Sequence, residues 1–229
     1  MDFSLCTHLL LLTTREKDGA IPSSRGGAIP FGLATGLLLD LLRERHCRMD
    51  EEQFIRVTDE TPTGSALHDE TLGRIRGADA MRFASWISVV HERTKKLLLR
   101  CYEAPVQEGY FRHEESRLLG LFPRHRFPPE TAGTERAARL RMAVEAAVAE
   151  PASMDEGMLQ LCALIRGCRV EHLVFDQRVR AQAKEVLRRI CKPDLDFIRY
   201  PEELHRMLVV AAKATRNIIV DQTSVDASG

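Results

Sequence analysis

Residues able to do chemistry are scattered through this chain rather than gathered into motifs. His91-Glu92 opens like a zinc-binding helix, but Lys95 stands where the second histidine would have to be. Phosphate-cradling loops need closely spaced glycines so that backbone N–H groups can converge on the anion, and neither G-x-x-x-x-G-K-[ST] nor G-x-G-x-x-G occurs. The serine-hydrolase elbow G-x-S-x-G is missing too. His8, His68, His113, His172 and His205 could meet a serine or aspartate only through the fold, and scattered histidines are usually structural or exposed. Cys6, Cys47, Cys101, Cys162, Cys168 and Cys191 show no Cys-x-x-Cys pair and sit mostly in apolar segments, as reduced, packed thiols do. No metal, cofactor or nucleophile is implied, and the reading is a non-enzyme. A small-molecule enzyme with a site assembled from distant residues is the alternative.

Two local patterns do suggest a task. From His91 to Arg141 eleven bases face seven acids, with Lys95, Lys96 and Arg100 close together, a set that could meet a phosphate or simply form a solvated helix face. Leu118, Leu119, Leu121 and Phe122 are nearly consecutive large apolar residues. A strand with period-two alternation buries only one side, so some of these must face outward and meet lipid or a partner chain. Residues 50–70, by contrast, are acidic, with seven acids against Arg56 alone. Over the whole chain 33 basic residues balance 33 acidic ones, which gives no field for nucleic acid.

The elements that must carry these residues are mostly helical. Leu5 to Leu12 reads as a short buried helix, and Phe31 to Arg45 is apolar on nearly all sides, which places it at the centre of the molecule. Cys47-Arg48-Met49 and Phe54-Ile55-Arg56-Val57 form a β-hairpin too short to stand without helices. Helices follow near Leu67–Ile75 and from Met81 into Lys95-Lys96, with Trp86 between Phe83, Ile87 and Val90 as a core residue, and Pro105 ends or kinks the second. A second hairpin is expected with Tyr110-Phe111-Arg112 and Leu118–Phe122 as strands and His113–Ser116 as its turn. Ala137, Leu140, Val144, Ala147 and Val148 share one helix face, and Ser153-Met154-Asp155-Glu156 reads as a capping box for the helix Met158–Ile165. Val179, Ala183, Val186, Leu187 and Ile190 make another stripe, and Tyr200-Pro201-Glu202-Glu203 opens the last helix. The fold class is mainly α: one globular domain over residues 1–220, with a central buried helix in a helical bundle, surrounding amphipathic helices and two short β-hairpins, then a frayed tail over 221–229. The start lacks a basic n-region and Leu9–Leu12 is too short to span a bilayer, so a cytoplasmic, peripherally membrane-associated protein is expected.

In order and spacing, several segments resemble the Golgi phosphoprotein 3 family. They are Ile21-Pro22-Ser23-Ser24, Gly32-Leu33-Ala34 running into Leu37-Leu38-Leu39-Asp40-Leu41, Thr61-Pro62-Thr63-Gly64 with Asp69-Glu70 and Leu72, and Trp86. Glu114 and Arg117, then Leu119-Gly120-Leu121-Phe122-Pro123 and Arg126-Phe127-Pro128, match the form seen in its bacterial members. The resemblance implies a helical domain, peripheral membrane association through phosphatidylinositol 4-phosphate, and a protruding hairpin for membrane contact and self-association, here Glu114 to His125. It also implies a protein client, since eukaryotic members grip the cytoplasmic tails of glycosyltransferases. The family's headgroup tryptophan falls at Arg25, its central-helix arginine at Ala34, and its two later arginines at Lys95 and Leu98, with Arg100 nearby. Arg25, Lys95 and Arg100 are therefore the headgroup candidates, and an anionic phospholipid surface is the expected partner.

Overall fold

Helix α2 (Ala28–Arg43) has no solvent face through most of its length: every residue from Phe31 to Leu41 is buried. A helix of that kind is stable only when neighbours cover it on all sides, and in this computed structural model they do. Residues 4–21, 28–118, 122–192 and 201–226 are described. Helix α1 (Leu5–Thr13), also wholly buried, lies against α2, as do α3 (Ala66–Arg76), α4 (Phe83–Arg93) and the short α5 (Leu97–Cys101). On other sides α2 meets α8 (Glu156–Cys168) and α11 (Glu202–Asp226). Close approach requires small residues at the crossings. A Cβ on Gly32 would lie 2.3 Å from Cys168 Sγ, and one on Gly36 would lie 3.3 Å from Cys6 Sγ.

One polar group ties this apolar centre together. Asp40, fully buried, accepts from the free Leu5 N–H at the start of α1 (3.0 Å), from Arg43 (2.8 Å) and, through His68 Nε2 at 3.3 Å, meets α3. The carboxylate thus satisfies an orphan donor of one helix, a cation on its own helix and a ring on a third. Thr35 and Thr215 add a hydroxyl pair at 2.8 Å between α2 and α11.

The remaining elements cover this centre. Strands β1 (Cys47–Met49) and β2 (Ile55–Val57) pair antiparallel and lean on α2 and α3, as expected of so short a hairpin. Helix α7 (Thr131–Ala149) buries the stripe Ala137, Leu140, Val144, Ala147 and Val148. Helices α9 (Glu171–Val174) and α10 (Gln177–Ile190) follow α8, α10 burying Ala183, Leu187 and Ile190. Trp86 is 1% exposed and belongs to the core.

Three local expectations are corrected. The helix from Met81 does not run through Lys95-Lys96: it stops at Arg93, Lys96 takes a left-handed conformation (φ 54°), and α5 then α6 (Glu103–Gln107) resume, with Pro105 inside α6. The cap of α8 is Asp155, which accepts from Met158 N at 2.7 Å, while Ser153 sits in a 3₁₀ turn; a carboxylate is the better acceptor at a positive helix end. In the second hairpin, β3 (Glu114–Leu118) pairs with β4 (Phe122–Arg126), so His113–Ser116 is not the turn. Tyr110 and Phe111 are instead held in the base, Tyr110 N by Pro105 O and Phe111 by burial at 3% exposure.

Two stability measurements follow. Asp40→Ala strands a buried N–H and a mostly buried guanidinium and should cost about 3 to 5 kcal/mol in urea denaturation; a loss under 1 kcal/mol would remove Asp40 from its tying role. Burial, reinforced by Arg136, lowers the His8 pKa from 6.5 to about 4. A folded value below the unfolded one means that the unfolded chain takes the proton first. His8 therefore contributes stability that is intact above pH 6.5 and is lost as pH falls to 4, roughly 3 kcal/mol in all. Between pH 7 and 4.5 a His8→Gln variant should lose correspondingly less stability than the natural chain.

Candidate functional site

The break after α4 sets Lys95 and Lys96 on the surface. Thr94 turns extended (φ −87°, ψ 93°), Lys96 goes left-handed, and the next apolar residues, Leu97 and Cys101, return to the core. Both lysines are exposed and neither has an ion pair among the described residues. They form one wall of a hollow of about 500 Å³ together with Arg100 and Glu103. His113, Glu115 and His125 of the second hairpin form the facing wall, and Tyr102 and Phe127 lie between.

Stacked rings fix the distance between these walls. Phe127 lies flat on Tyr102 (centroids 3.7 Å, planes 3° apart), and Phe111 meets Tyr102 edge-on at 5.2 Å. The Tyr102 hydroxyl bonds Thr14 at 2.6 Å, which ties the stack to the end of α1. Phe127 N donates to Gly19 O at 3.0 Å, where the chain comes so close that a Cβ on Gly19 (φ 61°) would lie 2.1 Å from Pro128 N. Only glycine fits there. His113 then stacks on the free side of Phe127 (4.8 Å, 10°) and bonds His125, Nε2 to Nδ1, at 3.0 Å.

Beyond this base the described side chains of the hairpin are in solvent. Glu114, Glu115 and Ser116 on β3 and Pro123 and Arg124 on β4 are all exposed, although adjacent positions point to opposite faces. On both faces, then, these five side chains stand clear of the core.

The structure brings Lys95 and Arg100 into one hollow, but it gives them different freedom. Arg100 is held by Glu70 (2.5 Å), and hydrogen bonds from Arg74 and Arg100 keep the Glu70 carboxyl below the usual carboxylate range. The lysine ammonium groups are the mobile charges. Leu118 and Phe122 are the last paired residues of the hairpin, while Arg25, Leu119 and Leu121 lie outside the described residues. Ala34 is fully buried and Leu98 half-buried, so the two positions that depart from the resembled pattern offer no group to a headgroup. From sequence Lys96 is named only within the basic run and His113 only among the scattered histidines, and His125 is not singled out. A signal existed, since a hairpin centred on Gly120 sets His125 opposite Glu115 and brings His113 level with Phe127.

A second hollow, of about 680 Å³, lies at the C-terminal end of α2. Leu42, Cys47, Met49, Met154, Leu204 and Met207 give it an apolar lining, with Arg43, Arg45 and Arg48 and the acids Asp155, Glu156 and Glu203 also facing it. Burial pushes the Glu156 carboxyl above the usual range against the pull of Arg43 and Arg45. Among the described residues no group of three His, Cys, Asp or Glu side chains could hold a metal, and no helix is long and apolar enough to cross a membrane.

Residues 5–220 match the family model of Golgi phosphoprotein 3 (GPP34), and the chain belongs to that family. The family is one of non-enzymatic adaptors. No curated protein sequence matches the chain.

The left-handed turn at Lys96 can be tested directly. Lys96→Gly should stabilise the fold by about 0.5 to 1 kcal/mol, because glycine takes that conformation without steric cost, whereas Lys95→Gly should destabilise it. Equal effects of the two changes on the thermal midpoint would contradict the turn.

Proposed function

We propose that this member of the Golgi phosphoprotein 3 family docks reversibly on an anionic phospholipid surface and serves there as an adaptor for another protein. One observation carries the reading: a hollow with two lysines that have no ion pair among the described residues adjoins a hairpin whose described side chains beyond the base, Glu114, Glu115, Ser116, Pro123 and Arg124, are exposed, and whose sequence continues Leu118-Leu119-Gly120-Leu121-Phe122. A two-stranded ribbon is marginal in water by itself, and an apolar end on it needs outside cover. Inserting two of those side chains would gain very roughly 3 to 6 kcal/mol, and each lysine adds about 1 kcal/mol at an anionic surface. These sums support attachment that can be reversed, not permanent anchoring.

The headgroup is a phosphoinositide, phosphatidylinositol 4-phosphate by likeness to the family, or another anionic phospholipid. Lysine ammonium groups meet phosphate as point charges, without the fixed fork of a guanidinium, and Arg100 is already engaged by Glu70. Such a site reads charge more than shape. Arg25 belongs to the proposed headgroup set along with Lys95 and Arg100. Self-association through the open strand edges of the same hairpin is a second use of that element.

The test is vesicle flotation. Lys95→Gln with Lys96→Gln should weaken binding to anionic vesicles by about 2 kcal/mol, roughly thirtyfold, and Leu121→Ser with Phe122→Ser should release the protein or, if the hairpin mediates self-association, reduce its size on a column. Unchanged flotation and size in both variants would overturn the reading. The competing small-molecule reading is favoured by the second hollow with its protonation-prone Glu156. A ligand-induced rise in thermal midpoint that Glu156→Gln abolishes would support that alternative.

A further inference from the structure

The second hollow, at the C-terminal end of α2, is bordered by an open sheet edge. Among the described strands β1 has only β2 beside it. Asp50 N donates to Phe54 O (3.0 Å) and Thr58 N to His46 O (2.9 Å), so the even-numbered positions of β1 turn their backbone groups toward β2, and Arg48 pairs with Arg56 in that register. Cys47 and Met49 therefore aim their N–H and C=O groups at the opposite edge. Nothing among the described residues bonds them there, although the two residues are only 4% and 5% exposed. Buried backbone groups without a partner are rare in folded proteins. The outer edge of β2 is treated differently, since Ile55 N donates to Met81 O and Phe83 N to Gln53 O.

That open edge runs along the hollow. Cys47, Arg48 and Met49 all line it, and because successive side chains of a strand point to opposite faces, a hollow that meets three in a row follows the edge itself. Met154, Leu204 and Met207 supply apolar lining beside it, and methionine adapts to varied partners. An apolar small molecule covers that lining and leaves the strand edge unpaired, whereas an extended chain covers the lining and pairs the edge. Charge selects the residue at its centre. Arg48 is exposed, has no ion pair among the described residues, and takes the position toward an added antiparallel strand where facing side chains are closest. A second copy adding its own β1 antiparallel through this point sets Arg48 against Arg48, which like charges disfavour. An acidic residue is favoured instead. The acids of the lining, Asp155, Glu156 and Glu203, belong to the starts of α8 and α11 and leave Arg48 and Arg45 without an ion pair.

We propose that the β1 edge is a peptide-docking site, which takes an extended segment of a partner protein as a third strand, with an acidic residue beside Arg48 and an apolar residue on either side of it against the hollow's lining. The edge spans roughly 10 Å, so recognition is confined to that short pattern. The two hollows lie at opposite ends of α1: Thr14, after its last turn, bonds Tyr102 of the first, whereas Leu5 at its start bonds Asp40, which holds Arg43 of the second. Nine helical residues, roughly 13 Å, separate those ends. A partner at β1 therefore leaves the lysine hollow open. The proposal deepens the adaptor half of the reading above and is independent of its membrane half.

Fluorescein-labelled heptapeptides Gly-Ser-Leu-X-Leu-Ser-Gly, with X as Glu, Ser or Lys, titrated with the full chain in fluorescence anisotropy, test it without vesicles. The Glu peptide should bind about fivefold more tightly than the Lys peptide, with Ser between them, and Arg48→Glu, a change at an exposed position, should invert that order. Methylating the backbone nitrogens on the side of the peptide that pairs with β1 should weaken binding about tenfold or more, while methylating those on the other side should change it little. In hydrogen exchange the Cys47 and Met49 amides should be unprotected in the free chain and slow once the Glu peptide is added. Absence of binding by all three peptides, an order unchanged by Arg48→Glu, or equal effects of the two methylations overturns the strand-edge assignment. So does protection of both amides before peptide is added, which gives the edge to a second copy or to the chain itself. Each of these results leaves the docking reading standing, because flotation of the Lys95 and Lys96 variants reads that separately.

Discussion

Burial of α2 is the constraint from which the arrangement follows. Leu33, Leu37, Leu38, Leu39 and Leu41 leave that helix no polar face, so the fold must find a neighbour for every side of it, and α1, α3, α4, α5, α8 and α11 are those neighbours. Asp40 makes the arrangement specific rather than merely apolar. A fully buried carboxylate is tolerated only where its lone pairs are used, and this one is satisfied by the start of α1, by Arg43 and by His68. Sliding or rotating α1 against α2 would break that set.

This centre also positions the face we propose for docking. Near the start of α2, Phe31 stacks on His91 of α4 at 4.1 Å, and α5 packs on α2 directly after the Lys95-Lys96 turn. The Thr14–Tyr102–Phe127–His113 series then extends the rigid part of the molecule outward from α1 to the hairpin base. Lys95, Lys96 and Arg100 sit beside that held part, while Leu119 and Leu121 lie outside the described residues. In the docking we propose, charge would give orientation and reach and apolar insertion would give residence, neither large enough to be permanent.

Much of this was legible in the residues. The Leu-rich run Leu33–Leu42, whose only polar positions are Thr35 and Asp40, pointed to a central helix, the stripe from Ala137 to Val148 reported its buried face correctly, and Trp86 belonged to the core. What failed did so for identifiable reasons. Val90, Thr94, Leu97 and Cys101 keep helical spacing across the break between α4 and α5, so periodicity gives no warning that Lys96 turns left-handed there. In the second hairpin the apolar residues Tyr110 and Phe111 imitated a strand because they pack into the base, while the true strands are mostly charged or polar, with Glu114, Glu115, Ser116, Pro123 and Arg124 exposed, and lack the alternation by which half-buried strands are recognised. The engagement of Arg100 by Glu70, thirty residues away, is tertiary and has no local signature.

The most direct measurement of the central claim is hydrogen exchange of the full chain with and without vesicles containing anionic phospholipid. Docking through this face should slow exchange over the Lys95–Glu103 segment and along β3 and β4, and leave α7 and α10 unchanged. Slowing confined to α7 or α10, or no change anywhere in the presence of vesicles that bind the protein, would contradict the account.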